Sequence, residues 1–190
     1  MKNNSPSPVA LFARNFIRHP RMLGSFIPSS RFLIRTVLGQ MDFQRARLIV
    51  EYGPGVGTFT RPMLVRMRPD ATLIALETNP DFVQFLRTNV DDQRLQVVSG
   101  SAADVESVLT ARGLGRADYV LSGIPFTTLT PQERTAVVNA TRSILRTDGA
   151  FLVYQFSPLV LSNLRRVFSK IRRDFQPLNM PPAQLFYCSP

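Results

Sequence analysis

The central part of the chain alternates short apolar runs with stretches of helical length. Residues 79–89 and 131–146 have helical spacing, whereas the apolar runs between them are short and continuous. Strand and helix in alternation predict a parallel sheet covered by helices on both faces. The runs predicted as buried strands are 47–53, 72–77, 95–100, 117–123 and 149–157.

The end of the chain departs from this alternation. A helical pattern over 159–170 is followed by two extended pieces, one around Phe175 and one over 185–188, with three prolines between them. Because proline breaks helices, this pattern predicts an antiparallel hairpin that closes the sheet. The predicted fold class is therefore α/β: a mostly parallel seven-stranded sheet with helices on both faces and an antiparallel C-terminal hairpin.

Two helical patterns precede the first strand. The first carries an apolar stripe bordered by arginines, and such a helix can lie in a membrane interface; in the alternative, its phenylalanines cap the protein core. The residues predicted to bind a membrane are Phe12, Arg14, Phe16, Arg18 and Arg21. The second pattern follows the helix-capping sequence Pro28-Ser29-Ser30 and predicts a buried face formed by Leu33, Ile34, Val37, Leu38 and Met41.

Length and composition fit one globular domain, with N-terminal helices over 1–46 and a core over 47–190. The chain has 190 residues, 44% of them apolar and 19% charged. One cysteine excludes a disulfide framework and a cysteine-rich zinc site, and no metal is expected. The longest uncharged run, 149–164, is too short and too polar to span a bilayer, so we expect a cytoplasmic protein.

The charge is unevenly distributed along the chain. The net charge of +10 divides into +7 over 1–47 (eight cations and one acid), −1 over 48–160 (ten and eleven) and +4 over 161–190 (five and one). Two basic ends around a nearly neutral centre predict a polyanionic partner, either nucleic acid or an anionic membrane.

The first strand runs into a glycine-rich turn. Gly53, Gly55 and Gly57 alternate with other residues, and Glu51 stands two positions before the first glycine. A dinucleotide-binding loop has a different glycine spacing, and the Lys-Ser/Thr pair of a Walker loop is absent. The pattern resembles the first motif of class I S-adenosylmethionine-dependent methyltransferases, which have a Rossmann-like fold. A tight turn without a ligand is the competing interpretation.

The resemblance implies a site for S-adenosylmethionine, which becomes S-adenosylhomocysteine in the reaction. Only glycine leaves room for the methionine and ribose portions to approach the backbone. An acid at the end of the second strand would accept both ribose hydroxyls, and residues after the third strand would contact the adenine. The implied cofactor-binding residues are Glu51, Gly53, Gly55, Gly57, Glu77, Thr78, Ser101, Ala102 and Ser122. We expect Asp104 to cap a helix, with displaced contact to the adenine as the alternative.

The fourth strand ends in a second motif, Ser122-Gly123-Ile124-Pro125-Phe126, at the position where methyl transfer occurs in this fold. Amino-group methyltransferases, including the ribosomal RNA adenine dimethylases, have an Asn/Asp-Pro-Pro-Tyr or Asn-Leu/Ile-Pro-Tyr/Phe motif there. The version in this chain, together with residues 16–21 and 28–31, is similar to the bacterial phospholipid N-methyltransferases, which convert phosphatidylethanolamine to phosphatidylcholine.

This second resemblance implies catalytic roles for all five residues of the motif. The Ser122 hydroxyl or a motif carbonyl would select the neutral amine. His19, the one histidine, is expected to be a surface residue before a proline, and a role as catalytic base is the alternative. An aromatic face would hold the methylated ammonium by cation–π attraction, with Phe126 as first candidate and Tyr154 and Tyr187 behind it.

The expected function is therefore N-methylation of phosphatidylethanolamine by a peripheral protein on the inner face of the cell membrane. Other amine lipids, such as an ornithine lipid, stay open as substrates. Two alternatives remain open. One is an RNA adenine N6-methyltransferase, and the other is a catalytically silent module that binds membrane or RNA.

Overall fold

The computed structural model describes residues 29–190, which form one seven-stranded sheet flanked by helices. The strands are β1 (Leu48–Tyr52), β2 (Thr72–Glu77), β3 (Leu95–Ser99), β4 (Ala117–Ser122), β5 (Leu145–Gln155), β6 (Lys170–Gln176) and β7 (Ala183–Ser189). The helices are α1 (Arg31–Leu38), α2 (Thr60–Arg66), α3 (Pro80–Asn89), α4 (Val105–Thr110), α5 (Pro131–Ile144) and α6 (Leu161–Val167).

The strand order confirms the predicted architecture. It is β3-β2-β1-β4-β5-β7-β6, with parallel pairing from β3 to β5 and antiparallel pairing of β7 with both β5 and β6. The chain crosses from one side of β1 to the other between β3 and β4, so the loops that follow β1 and β4 diverge there. In parallel sheets such a point is where ligands bind.

The core lies on both faces of the sheet. On one face α1 and α2 pack through residues such as Leu33, Val37 and Met63. On the other face α4, α5 and α6 contribute residues such as Val105 and Val138. β1 is buried along its whole length because helices cover it on both sides.

The structure corrects the sequence predictions at three places: the burial of one strand and the bounds of two helices. β3 is only half-buried, not buried as expected, because it lies at the sheet edge and has one neighbouring strand. The helix expected over 159–170 ends at Val167, since Phe168 is extended and buries its ring, and Lys170 already belongs to β6. Helix α5 passes directly into β5 at Leu145, which pairs with Ala117.

The helix predicted just before the first strand is present as α1. Its N-cap is Ser30, whose hydroxyl accepts a hydrogen bond from the Leu33 amide. Leu33, Val37 and Leu38 are buried as expected, Ile34 is half-buried, and Met41 is buried beyond the end of the helix.

Two predictions concern the N-terminal segment or membrane spans. The first amphipathic stripe, with Phe12, Arg14, Phe16, Arg18, Arg21 and His19, lies outside the described residues. Within residues 29–190, no helix combines the length and the hydropathy needed to cross a membrane.

Candidate active site

A cavity of about 230 Å³ opens at the carboxyl ends of the central strands. The loops after β1, β2, β3 and β4 all contribute to its wall, together with the end of β5 and Ser29. The sequence predicted residues at this edge, and the structure brings most of them together. Among the described residues that line the cavity the only charged side chains are Glu77 and Glu133.

The glycine-rich turn after β1 forms the floor of the cavity. Gly53, Gly55 and Gly57 have φ angles of 66°, 57° and 85°, which residues with a side chain rarely adopt. A Cβ at Gly53 would stand 3.3 Å from Cγ1 of Ile124, and one at Gly57 would stand 3.0 Å from Cδ2 of Leu86. Gly53 and Gly55 line the cavity. Gly57 does not line it, and its positive φ helps to form the turn.

Glu77, at the end of β2, faces the cavity and supports the turn. Its Oε2 accepts a hydrogen bond from the Gly55 amide at 3.1 Å, and its Oε1 accepts one from the Asn79 amide at 2.9 Å. Burial raises the pKa of this carboxyl, although both backbone hydrogen bonds oppose the shift. Thr78 follows it in the cavity wall. This is the expected position for an acid that binds ribose hydroxyls.

Glu51 lies behind the turn and is not among the residues that line the cavity. It is buried, and the Thr60 hydroxyl donates a hydrogen bond to its Oε2 at 2.6 Å. Burial raises the pKa of Glu51 to about 8, and the negative charge of Glu77 adds to the shift. Direct contact between Glu51 and a cofactor, as expected from the motif, is therefore not what this arrangement offers; Glu51 lies behind the turn and contacts the start of α2 through Thr60.

Ser101 and Ala102, which the sequence predicts to bind the cofactor, line the cavity after β3. The Ser101 hydroxyl accepts a hydrogen bond from the Ala103 amide at 3.2 Å and caps a 3-10 turn over Ala102–Asp104. Asp104 occupies the N-cap position of α4, as expected, but its side chain makes no capping hydrogen bond.

The motif after β4 is divided between the cavity and the core. Gly123, Ile124 and Pro125 line the cavity. Ser122 and Phe126 are fully buried and do not line it. The Phe126 ring packs in the core beside α5, and the Ser122 hydroxyl has no hydrogen-bond partner among the described residues. The expected contacts of these two side chains with cofactor or amine are therefore absent from this arrangement.

A glutamine that sequence reasoning missed holds this motif in place. Gln155 is buried, and its Oε1 accepts a hydrogen bond from the Phe126 amide at 3.1 Å. Its Nε2 donates to the Ile124 carbonyl at 2.7 Å. A polar residue in the otherwise apolar run 149–157 was the available signal, because buried amides need partners.

Tyr154 brings an aromatic ring and a hydroxyl to the position left open by Gly123. A Cβ on residue 123 would overlap the Tyr154 hydroxyl oxygen and stand 3.0 Å from Cζ of that ring. The ring stacks on Phe59 with centroids 4.9 Å apart, and the hydroxyl is hydrogen-bonded to the side chain of Ser29. Burial raises the pKa of Tyr154, and the charge of Glu51 raises it further.

Two other residues complete the comparison with the predicted site. Tyr187 does not line the cavity; its ring lies under the Arg172 guanidinium, 4.1 Å from the ring centroid. Glu133, which was not predicted, lies at the rim in the capping box of α5, where hydrogen bonds from the amide and hydroxyl of Thr130 lower its pKa. The Thr-Pro-Gln-Glu sequence at 130–133 carries the signal of that cap.

The lining chemistry fits S-adenosylmethionine better than a phosphorylated nucleotide. Its walls are glycine, apolar, aromatic, serine and threonine residues with two carboxyl groups, and no lysine or arginine occurs among the described lining residues. Phosphates need cations or amide donors, whereas a sulfonium is cationic and suits carboxylates and aromatic faces. Within residues 29–190, no group of three side chains is arranged to hold a metal ion.

Comparison with known proteins gives a family and a fold. The family described as methyltransferase domain matches residues 49–149. The chain is 32% identical over 180 residues to the ornithine lipid N-methyltransferase of Singulisphaera acidiphila, and this match covers 94% of each protein. It is 26% identical over 98 residues to ribosomal RNA small subunit methyltransferase A of Mycoplasma capricolum, a match that covers 50% of this chain and 35% of that protein.

A solved structure agrees with the topology. Human Methyltransferase-like protein 13, crystallised in complex with SAH, aligns with a TM-score of 0.60 at 17% identity, over 90% of this chain and 81% of that one. At 17% identity, this similarity is evidence for the fold alone.

Proposed function

Because the chain belongs to the class I S-adenosylmethionine-dependent methyltransferases, we propose that it methylates the amine headgroup of a membrane lipid. The observation that carries this proposal is the match to a lipid N-methyltransferase along 94% of both chains. The RNA methyltransferase match, by contrast, covers half of this chain. Phosphatidylethanolamine is the substrate we propose first, because the Ser122–Phe126 motif resembles that of the phospholipid N-methyltransferases. Ornithine lipid is the second candidate, because it is the lipid in the name of the similar protein from Singulisphaera acidiphila.

The cofactor would be held by the residues that line the cavity after β1, β2 and β3. They are Gly53, Gly55, Glu77, Thr78, Ser101 and Ala102. When bound, S-adenosylmethionine supplies a methyl group already activated on a sulfonium. The protein then has to orient the acceptor, exclude water and tolerate the charge of the product.

Gly123 and Tyr154 would form the acceptor side of the cavity. Gly123 stands between the two halves of the site, because a Cβ there would lie 3.3 Å from the Gly53 carbonyl oxygen and overlap the Tyr154 hydroxyl. The Tyr154 hydroxyl is neutral near pH 7, because the ordinary tyrosine pKa of 10 is already well above that pH and burial raises it further. A neutral phenol can accept a hydrogen from an amine and so align the nitrogen lone pair. Each transfer would form one N–C bond, break the bond between the methyl group and the sulfonium sulfur, leave S-adenosylhomocysteine, and release to solvent one proton of the ammonium substrate.

The aromatic wall suits an acceptor that ends as a permanently cationic quaternary ammonium. Phe59, Phe156 and Tyr154 line the cavity together, and an ammonium over such faces gains roughly 0.5–2 kcal/mol. These rings take the role first expected of Phe126. The anionic Glu133 at the rim attracts a protonated amine before it enters.

The test is methyl transfer from labelled S-adenosylmethionine to defined substrates, read by lipid chromatography. Vesicles carry phosphatidylethanolamine in one arm and ornithine lipid in a second, and a third arm offers ribosomal RNA. Label in either lipid supports the proposal and identifies the headgroup. Label in RNA alone would replace it with an RNA adenine methyltransferase, and cofactor binding without any transfer would indicate a silent module. We place the reaction on the cytoplasmic face of the membrane.

A further inference from the structure

The end of β6 and the loop that joins it to β7 carry an unusual amount of exposed apolar surface. Phe175, Leu178 and Met180 have exposed fractions of 50%, 61% and 79%. Three of the six exposed large hydrophobic residues within 29–190 thus lie in one six-residue segment, which we call the hairpin tip (residues 175–180). Apolar side chains clustered this way mark a contact surface rather than ordinary scatter.

The hairpin tip is fixed beside the entrance to the cavity. Asn179 is buried, and its Oδ1 accepts a hydrogen bond from the Ser30 amide at 2.8 Å. Gln176 donates from Nε2 to the Thr36 hydroxyl at 2.9 Å, which ties the tip to α1. Ser29, the neighbour of Ser30, lines the cavity. A surface that seats on the hairpin tip therefore lies next to the acceptor side of the site.

Cations accompany the apolar residues on these two elements. On α1, the exposed Arg31 lies over the ring of the exposed Phe32, 5.0 Å from its centroid, and Arg35 is also exposed. On β6, Arg173 and Arg172 are exposed and lie two and three residues before Phe175. The one acid on β6, Asp174, turns back to accept a hydrogen bond from the Phe175 amide. Exposed apolar side chains bordered by cations match the interface of an anionic bilayer.

We propose that the hairpin tip inserts into an anionic membrane surface and thereby places the entrance of the cavity at the lipid headgroups. This inference rests on the proposed function for its purpose, since a lipid amine has to be reached at the interface. Its structural basis is independent of catalysis, so it can be tested without turnover.

The absence of tryptophan from the 190 residues of the chain allows a direct test by fluorescence. A Leu178→Trp variant reports from the hairpin tip, and Val65→Trp is the matched control, because Val65 is 86% exposed on α2. Vesicles contain phosphatidylglycerol and phosphatidylcholine, with bromine on the acyl chains in a second set. We expect a blue shift and quenching by bromine at position 178 and neither at position 65.

The electrostatic part of the proposal predicts a dependence on lipid charge and salt. The signal at position 178 should be lost on vesicles of phosphatidylcholine alone and should weaken as salt is added. A double variant at the tip and a control variant on α2 complete the design. Leu178→Ser combined with Met180→Ser should weaken binding of the protein to anionic vesicles at least tenfold, whereas Val65→Ser should not.

Two results would overturn the docking surface. One is an emission spectrum at position 178 that is unchanged by anionic vesicles while the protein sediments with them, which would assign binding to another part of the chain. The other is equal quenching at positions 178 and 65. If the tip inserts but neither amine lipid is methylated in vesicles or in detergent micelles, the proposed function fails and the surface stands.

Discussion

The buried carboxyl of Glu51 should make the stability of the protein strongly dependent on pH. Burial raises its pKa from the ordinary 4.5 to about 8 in the folded state. Between these two values the folded protein holds a proton that the unfolded chain releases. The proton on Glu51 therefore makes its full contribution to the free energy of unfolding below pH 4.5. This contribution declines as pH rises and is lost above pH 8. At about 1.4 kcal/mol per pH unit, the loss over this range is ~5 kcal/mol.

Glu51→Gln removes this titration and keeps an oxygen that can accept the hydrogen bond from the Thr60 hydroxyl. Relative to the wild type, the variant should gain free energy of unfolding as pH rises, from about 2 kcal/mol at pH 6 to ~5 kcal/mol at pH 8, apart from a constant offset. Because small domains have only about 5–15 kcal/mol in total, this difference is large.

The assay is urea denaturation at several pH values between 5.5 and 8.5, with Glu106→Gln on the exposed side of α4 as the control. Glu106→Gln should follow the wild-type curve, and Glu51→Gln should diverge from it. Parallel pH profiles for wild type and Glu51→Gln would refute the inference that Glu51 is protonated in the folded protein. The same carboxyl, once ionised, should favour a cationic cofactor, so Glu51→Gln should also weaken S-adenosylmethionine binding in calorimetry.

Two further changes test the site, and a third tests the predicted N-terminal membrane anchor. Glu77→Ala removes a charged hydrogen-bond partner and should weaken S-adenosylmethionine binding by about 1.5–3 kcal/mol in calorimetry, and unchanged affinity with an intact fold would contradict the site. Tyr154→Phe should lower kcat for the lipid about tenfold while sparing cofactor affinity, whereas Tyr119→Phe, remote from the cavity, should change neither. Phe12→Glu should reduce co-sedimentation with anionic vesicles, and binding equal to that of the wild type would exclude the N-terminal stripe as an anchor.

The fold and the cofactor half of the cavity follow from local patterns in the sequence. Alternating apolar runs and helical stretches predicted the sheet, and three prolines between two extended pieces predicted the hairpin. The spacing of Gly53, Gly55 and Gly57 predicted a turn that the structure builds with positive φ at each glycine. Glu77 ends its strand beside this turn because parallel strands bring their carboxyl ends to one edge. These features depend on backbone conformation and periodicity, which neighbouring residues determine.

The acceptor half was decided by tertiary contacts. The sequence placed both Phe126 and Tyr154 near the site, yet Phe126 turns into the core and Tyr154 occupies the space above Gly123. The sequence could also not show that Glu51 is enclosed behind the turn, or that Asn179 holds the hairpin tip to Ser30, 149 residues away. The direction of a side chain at a strand end depends on which distant elements fill the space on each side, and only the packed chain determines that.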